Sequence, residues 1–164
     1  MTYLTFITTF HTAISFVAIA AGAVAIIGLF RGNGFRFWTN LFLATAVATS
    51  VTGFVFPFAG ITPAQVVGVI ALLVLAVVLL AFYRFNVAKA WRWIYAGGMV
   101  ASLYLLVFVG VVQAFGKISY LKGLAPTQSE LPFILAQGAT LAFFVLVGMI
   151  AALKYRPAVV AARF

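Results

Sequence analysis

The sequence predicts an all-α protein, a polytopic membrane helix bundle with five transmembrane helices. Hydrophobic residues make up 66% of the 164 residues and charged residues only 7%, whereas soluble domains carry roughly 45–50% apolar and about 25% charged residues. The apolar residues form stretches of about 20, the length that crosses a ~30 Å hydrocarbon core as a helix. Polarity does not alternate along them as it would in a membrane barrel, so helices remain the way to satisfy the backbone in lipid.

A single transmembrane domain covering residues 1–164 accounts for all the apolar stretches. The first stretch has no Lys or Arg before it. It also runs well beyond the roughly 7–15 apolar residues of a signal peptide, so we expect a retained helix rather than a cleaved signal. The five expected helices are 4–30, 37–56, 64–82, 93–115 and 131–153.

Turn residues separate the first three helices. The segment 31–34 (RGNG) is rich in residues that tolerate positive φ, which indicates a tight turn. Pro57 ends the second helix, because proline lacks the N–H that a helix interior requires. Residues 62–65 (TPAQ) then predict a capping box at the start of the third helix, with Thr62 at the N-cap and Gln65 at N3.

The longest loop, 116–129, leads into the fifth helix. Thr127 and Glu130 have the spacing of a capping box, but this N-cap would place Pro132 at the fifth helical position, where its missing N–H matters. Ser129 as the N-cap places Pro132 at N3, where no N–H is needed. We therefore expect Ser129 to cap the helix and Glu130 to lie in its first turn, where the helix dipole favours an anion.

The distribution of bases predicts how the chain threads the membrane. The net charge of +9 comes from ten bases and one acid. Eight of the ten bases fall in the first and third loops and the tail, and two fall in the fourth loop. The positive-inside rule therefore places the N-terminus outside and the C-terminus in the cytoplasm. Because topology explains these bases, we expect lipid as the partner and no nucleic acid.

The strongest polar side chains gather in the outer half of the expected bundle. His11 should lie about 10 Å below the outer surface at ~1.5 Å per residue. Ionisable groups inside a membrane usually mark a functional site. Two structural interpretations stay open: a core histidine satisfied by a neighbouring hydroxyl or carbonyl, and threonines that only join helices. The expected ligand-binding residues are His11, Thr49, Thr52, Gln113 and Gln137, with Glu130 and Lys117 at the mouth of the pocket.

Residues that carry common catalytic chemistry are scarce in this chain. The sequence has no cysteine, which excludes disulfides, thiolate nucleophiles and Cys-based zinc sites. One histidine cannot supply both axial ligands of a two-histidine haem, and one acid cannot form a pair of catalytic carboxylates. The sequence therefore favours a non-enzymatic protein with no catalytic residues, no metal site and no cofactor of its own. A quinone, or a haem shared with a partner chain, stays open.

Three functional hypotheses are compatible with this sequence. The first is a non-catalytic accessory subunit or assembly factor of a larger membrane complex, since the chain is small and contains pairs of small residues suited to close helix packing. The alternative is a binder of a quinone or another lipid-like molecule in the outer pocket. A further alternative is a small transporter that works as an oligomer. The small-residue pairs are Ala18 with Gly22, Gly98 with Ser102, and Gly148 with Ala152.

Three segments together resemble a group of uncharacterised small polytopic proteins of proteobacterial inner membranes. These segments are 11–15 (HTAIS), 49–58 (TSVTGFVFPF) and 124–133 (LAPTQSELPF). The resemblance covers most of the chain and implies a bacterial inner membrane, with the N-terminus then periplasmic. It implies no activity and assigns no role to any residue. All three segments lie at or near the outer face in the expected topology.

Overall fold

The computed structural model describes residues 2–32, 35–57 and 62–156, and all the regular secondary structure in this part of the chain is helical. Four of the helices are long and apolar enough to cross a membrane: Tyr3–Phe30, Pro63–Arg84, Trp91–Lys117 and Leu131–Lys154. The α-helices, in chain order, are α1 (Tyr3–Phe30), α2 (Arg36–Gly53), α3 (Pro63–Leu79), α4 (Trp91–Lys117), α5 (Ser119–Leu124) and α6 (Leu131–Lys154).

The second helix differs from the other long helices in length and polarity. It has 18 residues, and Arg36 and Asn40 lie in its first turns. Helix α2 is therefore not among the four helices that are long and apolar enough to cross a membrane. The sequence-based bounds 37–56 extend it three residues too far, because the chain already turns at Phe54 and Val55.

Capping chemistry fixes the start of α3 as the sequence predicts. The Gln65 N–H donates to Thr62 Oγ1 at 3.3 Å, and Gln65 Oε1 accepts from the Thr62 N–H at 2.9 Å. Both halves of the capping box are therefore present, with Pro63 in the first turn. At its other end, α3 continues into a π-helical turn, Leu80–Arg84, which the sequence pattern does not reveal.

The start of α6 differs from the prediction that Ser129 caps this helix. The N-cap is Glu130, and Pro132 lies one position earlier in the helix than expected. Glu130 therefore precedes the first turn instead of lying within it. Its carboxylate accepts the N–H groups of Thr127 and Ser129, both at 3.1 Å, so it stabilises the loop that enters the helix.

Neighbouring helices in the chain pack side by side and run in opposite directions. In α1 and α2, His11 meets Thr52, whereas Gly22 meets Phe42, so one helix ascends as the other descends. The same reversal relates α3 to α4, where Gly98 faces Val78. It also relates α4 to α6, which are joined by the Phe115–Phe133 contact at one end and the Tyr95–Tyr155 contact at the other.

Small residues set the close approach of the helices. A Cβ added at Gly22 would lie 2.8 Å from the Phe42 ring and 2.9 Å from Leu103, so α1, α2 and α4 touch at this glycine. Gly98 packs in the same way against Val78. Two of the glycines named from the sequence, Gly22 and Gly98, therefore form close helix contacts within this chain.

Candidate functional site

The lone histidine lies at one end of the bundle, between α1 and the end of α2. His11 Nδ1 is 2.9 Å from Thr52 Oγ1. The Phe56 ring stands edge-on to the imidazole, with ring centroids 5.4 Å apart. Gly53 lies next to the imidazole, and a Cβ at this position would be in ordinary contact with His11 Cε1, at 3.8 Å. The imidazole is half-buried and has a defined orientation.

The carbonyls around Thr52 favour one imidazole tautomer. The Thr52 hydroxyl is 2.7 Å from the Ala48 carbonyl and 3.1 Å from the Thr49 carbonyl, and both carbonyls can only accept. When the hydroxyl hydrogen goes to Ala48, its oxygen accepts from His11, and Nδ1 carries the ring hydrogen. In the neutral ring, Nε2 consequently keeps its lone pair. Among the described residues, no group hydrogen-bonds to Nε2, which leaves it available as an acceptor.

The other expected pocket residues do not join His11. Gln137 Nε2 donates to the Phe108 carbonyl at 3.2 Å and so joins α6 to α4. Gln113 is exposed on α4. Thr49 is buried one turn from Thr52. The structure brings His11 and Thr52 into direct contact, whereas no described hydrogen bond joins either of them to Gln113 or Gln137.

Two buried oxygen atoms lie near this end without a partner in the described part of the chain. They are Thr49 Oγ1 and Gln137 Oε1. Buried polar atoms are nearly always hydrogen-bonded, so an unpaired one calls for an explanation. Gln137 can accept one more hydrogen bond at Oε1 while its amide nitrogen holds α4. Both residues are among the ligand-binding residues expected from the sequence. Their role in ligand binding stays a prediction.

The expected mouth residues lie in and beside the loop between α4 and α6. Lys117 is the exposed last residue of α4. Glu130 accepts the Thr127 hydroxyl at 2.9 Å as well as two backbone N–H groups. Desolvation acts to raise the pKa of the Glu130 carboxyl, but these hydrogen bonds outweigh it, so the pKa is lowered. Gln128 fixes the same loop by donating to the Val112 carbonyl at 2.9 Å.

A second polar cluster, missed by the sequence reasoning, lies at the opposite end of the bundle. The Tyr95 side chain is fully buried and its hydroxyl is 3.4 Å from Thr39 Oγ1. Phe82 stacks on the Tyr95 ring, and Tyr155 packs on its other side. Tyr155 follows the last residue of α6, is 5% exposed and turns into the core. Nothing in the local pattern distinguishes it from Trp93, which is 54% exposed.

Comparison with known proteins identifies no relative of this chain. No protein-family model, curated protein or solved structure matches the chain. Fold and site together define a class, which is a helical bundle whose long apolar helices suit a membrane. Within the described residues, no group of three His, Cys, Asp or Glu side chains is placed to hold a metal ion.

Proposed function

We propose that all five long helices cross a bacterial inner membrane, with the N-terminus in the periplasm and the C-terminus in the cytoplasm. The direction of α2 supports a fifth crossing. It lies antiparallel along α1 from Phe42 at Gly22 to Thr52 at His11. Its 18 residues extend about 27 Å at ~1.5 Å per residue, close to the ~30 Å hydrocarbon thickness.

The charges at the two ends of the bundle support this orientation. Contacts of Tyr95 with Thr39 and Tyr155 gather the start of α2, the start of α4 and the end of α6 at one end. Of the nine described bases, seven lie in these segments or in the turns that lead into them: Arg31, Arg36, Arg84, Lys89, Arg92, Lys154 and Arg156. The positive-inside rule assigns such an end to the cytoplasm. The resemblance to proteobacterial inner-membrane proteins supports the choice of membrane.

In function, we propose a membrane-embedded binder of a lipid-like molecule with a hydroxyl head group, of which a quinol is the clearest example. The observation that supports it is the available Nε2 lone pair of His11, held in place by the Nδ1–Thr52 hydrogen bond. A lone pair accepts from a hydroxyl, so the neutral imidazole favours the reduced quinol over the quinone. Phe56 supplies an aromatic wall against which a ring can pack.

Binding at this site requires no chemistry from the protein. Apolar cavities with a few placed polar groups are the usual sites for such ligands. Here the threonine orients the imidazole, and the imidazole selects a hydrogen-bond donor. Thr49 lies one turn away on α2, and its hydroxyl, which has no partner among the described residues, is a second polar group at the same end of the bundle.

The test measures the binding of a short-chain quinol to the purified protein in mild detergent, by equilibrium dialysis under anaerobic reducing conditions. We expect His11→Phe to weaken binding by roughly tenfold or more, because a hydrogen bond to a buried group is worth about 1–2 kcal/mol. Thr52→Val should weaken quinol binding less, because this variant loses the hydrogen bond that orients the imidazole but keeps His11 Nε2. Equal quinol affinity in the wild type and His11→Phe would refute the site.

A matched control distinguishes a site built only on α1 and α2 from the wider pocket that also includes Gln113. Gln113 lies at the same end but is exposed and is not joined to His11. Gln113→Leu should therefore leave quinol affinity within about twofold if the site is built on α1 and α2. A loss as large as that of His11→Phe would instead support the wider pocket expected from the sequence.

A second candidate is the accessory subunit, and the exposure of α6 favours it. Only 6% of the most apolar stretch of α6 is buried, compared with 39% of that of α1. The helix lies at the edge of the bundle, beside α4. Its exposed side chains include Leu135, Phe143 and Leu146. Such a face is free for a neighbouring subunit as well as for lipid.

Native mass spectrometry in mild detergent tests this candidate with two tryptophan substitutions. Leu135→Trp enlarges the exposed face of α6, and Leu73→Trp does the same on α3, where Leu73 is 64% exposed. A partner bound at α6 predicts that only the first substitution reduces the fraction of chain found in a larger complex. A chain that runs as a monomer in both cases and in the wild type would rule the accessory role out.

A further inference from the structure

A cavity of about 370 Å³ lies at the end of the bundle opposite His11. It is formed where the first turn of α4 meets the last turn of α6 and is lined by Arg92, Trp93, Ala152, Leu153 and Arg156. This volume falls within the ~300–1,000 Å³ typical of small-molecule sites. Two arginines therefore line one concave site beside exposed apolar side chains.

From this cavity we infer a binding site for an anionic phospholipid, with its phosphate between Arg92 and Arg156 and its acyl chains along α6. The proposal goes beyond the function assigned to His11 and uses the other end of the molecule. It requires only that α4 and α6 lie in a membrane, so it does not depend on the quinol site.

The guanidinium groups have no carboxylate side chain to pair with. The only acidic residue of the chain is Glu130, which caps the opposite end of α6. The 23 positions from Glu130 to Leu153 span about 35 Å of helix at ~1.5 Å per residue. An external anion is therefore the natural counter-ion. Arginine suits phosphate because its planar donors bind two oxygens at once.

The local structure holds Arg92 ready for an anion. Its guanidinium carbon lies 4.8 Å from the centre of the Trp93 ring, a cation–π contact that limits its freedom. Arg92 is half-buried, and it lies in the first turn of α4. The residue before this helix is Ala90, which has no polar side chain to cap the first N–H groups. The N–H groups of Trp91 and Trp93 already donate to the Ala88 and Ala90 carbonyls, so this end of the helix contributes positive potential through its dipole.

The apolar surroundings favour a lipid over a free phosphate ion. Leu153 is 78% exposed and Trp93 is 54% exposed, both at the rim of the cavity. The exposed apolar face of α6 continues from Leu153 to Met149 and Leu146, toward the middle of the helix. An acyl chain can follow this face while the head group stays at the arginines. A soluble anion would gain nothing from it.

The experiment compares lipids bound by the purified protein, using native mass spectrometry with phosphatidylglycerol and phosphatidylcholine added in equal amounts. We expect the wild type to retain phosphatidylglycerol preferentially. Arg92→Gln should lower its affinity for phosphatidylglycerol by about tenfold, and Arg156→Gln should act in the same direction. Because both residues are at least partly exposed, these variants should fold, which circular dichroism checks.

Arg84 provides a matched control for the charge alone. It lies in the π-helical turn at the same end of the bundle, and its guanidinium carbon is 5.9 Å from the centre of the Phe85 ring. It does not line the cavity. Arg84→Gln should therefore change phosphatidylglycerol affinity by about twofold at most. Equal losses for Arg84→Gln and Arg92→Gln would overturn the site and leave only general attraction to a charged surface.

Glycerol phosphate distinguishes a lipid from a soluble anion. It carries the charged head without acyl chains, so at millimolar concentration it should fail to displace bound phosphatidylglycerol. Displacement by glycerol phosphate, or an Arg92-dependent rise in Tm with glycerol phosphate as large as with the lipid, would contradict the lipid assignment. Loss of quinol binding in His11→Phe with lipid binding intact would keep the two sites independent.

Discussion

At the residue scale, the sequence could identify His11 as unusual but could not identify its partner. Helical spacing relates residues within one helix, whereas Thr52 lies 41 positions away on another. The tautomer depends on a third group, the Ala48 carbonyl that takes the Thr52 hydrogen. Gln137 shows the same limit, because its partner is the Phe108 backbone and not a polar side chain. Partner choice is decided by packing, which local patterns do not contain.

Gly22 offers a direct test of the packing at the centre of the bundle. An added Cβ would meet Phe42 and Leu103 at 2.8–2.9 Å, and overpacking of this kind costs about 1–3 kcal/mol. We therefore expect Gly22→Ala to lower the free energy of unfolding by that amount, measured by SDS titration in mixed micelles.

The control for this substitution is Gly138 on α6. A Cβ there meets nothing within 4 Å, and alanine is the better helix former. Gly138→Ala should leave stability unchanged or raise it slightly. Equal destabilisation at both glycines would mean that α1 does not touch α2 and α4 at Gly22.

Glu130 gives a pH dependence with a defined sign. Its pKa is lowered from the ordinary value of 4.5 in the folded protein. A lowered pKa stabilises the fold above the unfolded value, and this contribution is lost as the pH falls through the folded pKa. The loop before α6 should therefore open as the pH falls from the ordinary value of 4.5 through the lowered pKa, seen as faster amide exchange at Thr127 and Ser129.

The variant Glu130→Gln keeps the size of the side chain but removes its titration. It should show the faster exchange at neutral pH and lose the acid-dependent change. If the exchange of both amides in Glu130→Gln still rose on acidification as in the wild type, another group would control the loop.

At the scale of the element, the sequence predicted the helices well and the connections poorly. Hydropathy placed the ends of α1 and α6 within one residue, because apolar length is a property of the chain itself. The capping box at Thr62 is confirmed because it needs only residues three apart. The short helix α5 and the π-helical turn were missed. They depend on how the chain returns to the bundle, which no local rule specifies.

The connection after the π-helical turn shows why such segments are hard to predict. Val87 has φ +55° although it is β-branched, and such residues rarely adopt this conformation. It is buried, and its N–H reaches back to the Ala81 carbonyl at 2.9 Å. Stacking of Phe85 on Trp91, with centroids 3.9 Å apart, closes the turn. Tertiary contacts therefore override the local preference.

Lys89 tests this left-handed backbone without disturbing the core. It has φ +50° and is exposed, so glycine removes the conformational cost without losing a buried contact. We expect Lys89→Gly to raise the free energy of unfolding by about 0.5 kcal/mol. Lys89→Val should lower it. If the two variants were equally stable in SDS titration, the left-handed conformation would be refuted.

At the scale of the whole molecule, the two ends of the bundle carry different chemistry. One end holds an oriented imidazole, and the other holds two arginines that line one cavity beside an apolar face. The sequence indicated the first end through its polar residues. From the sequence, the bases of the second end could be interpreted only as topology signals. Arg92 and Arg156 line the same cavity because α4 and α6 are antiparallel. This geometry is available only from the fold.

The most direct test of this account is the side of the membrane on which each terminus lies. The chain has no cysteine, so Thr2→Cys and Lys154→Cys each introduce a single reactive thiol at an exposed position. A membrane-impermeant maleimide applied to spheroplasts should label Thr2→Cys, whereas Lys154→Cys should react only in inverted vesicles. Five crossings require opposite sides. Labelling of both thiols from the same side would mean an even number of crossings and would contradict the account.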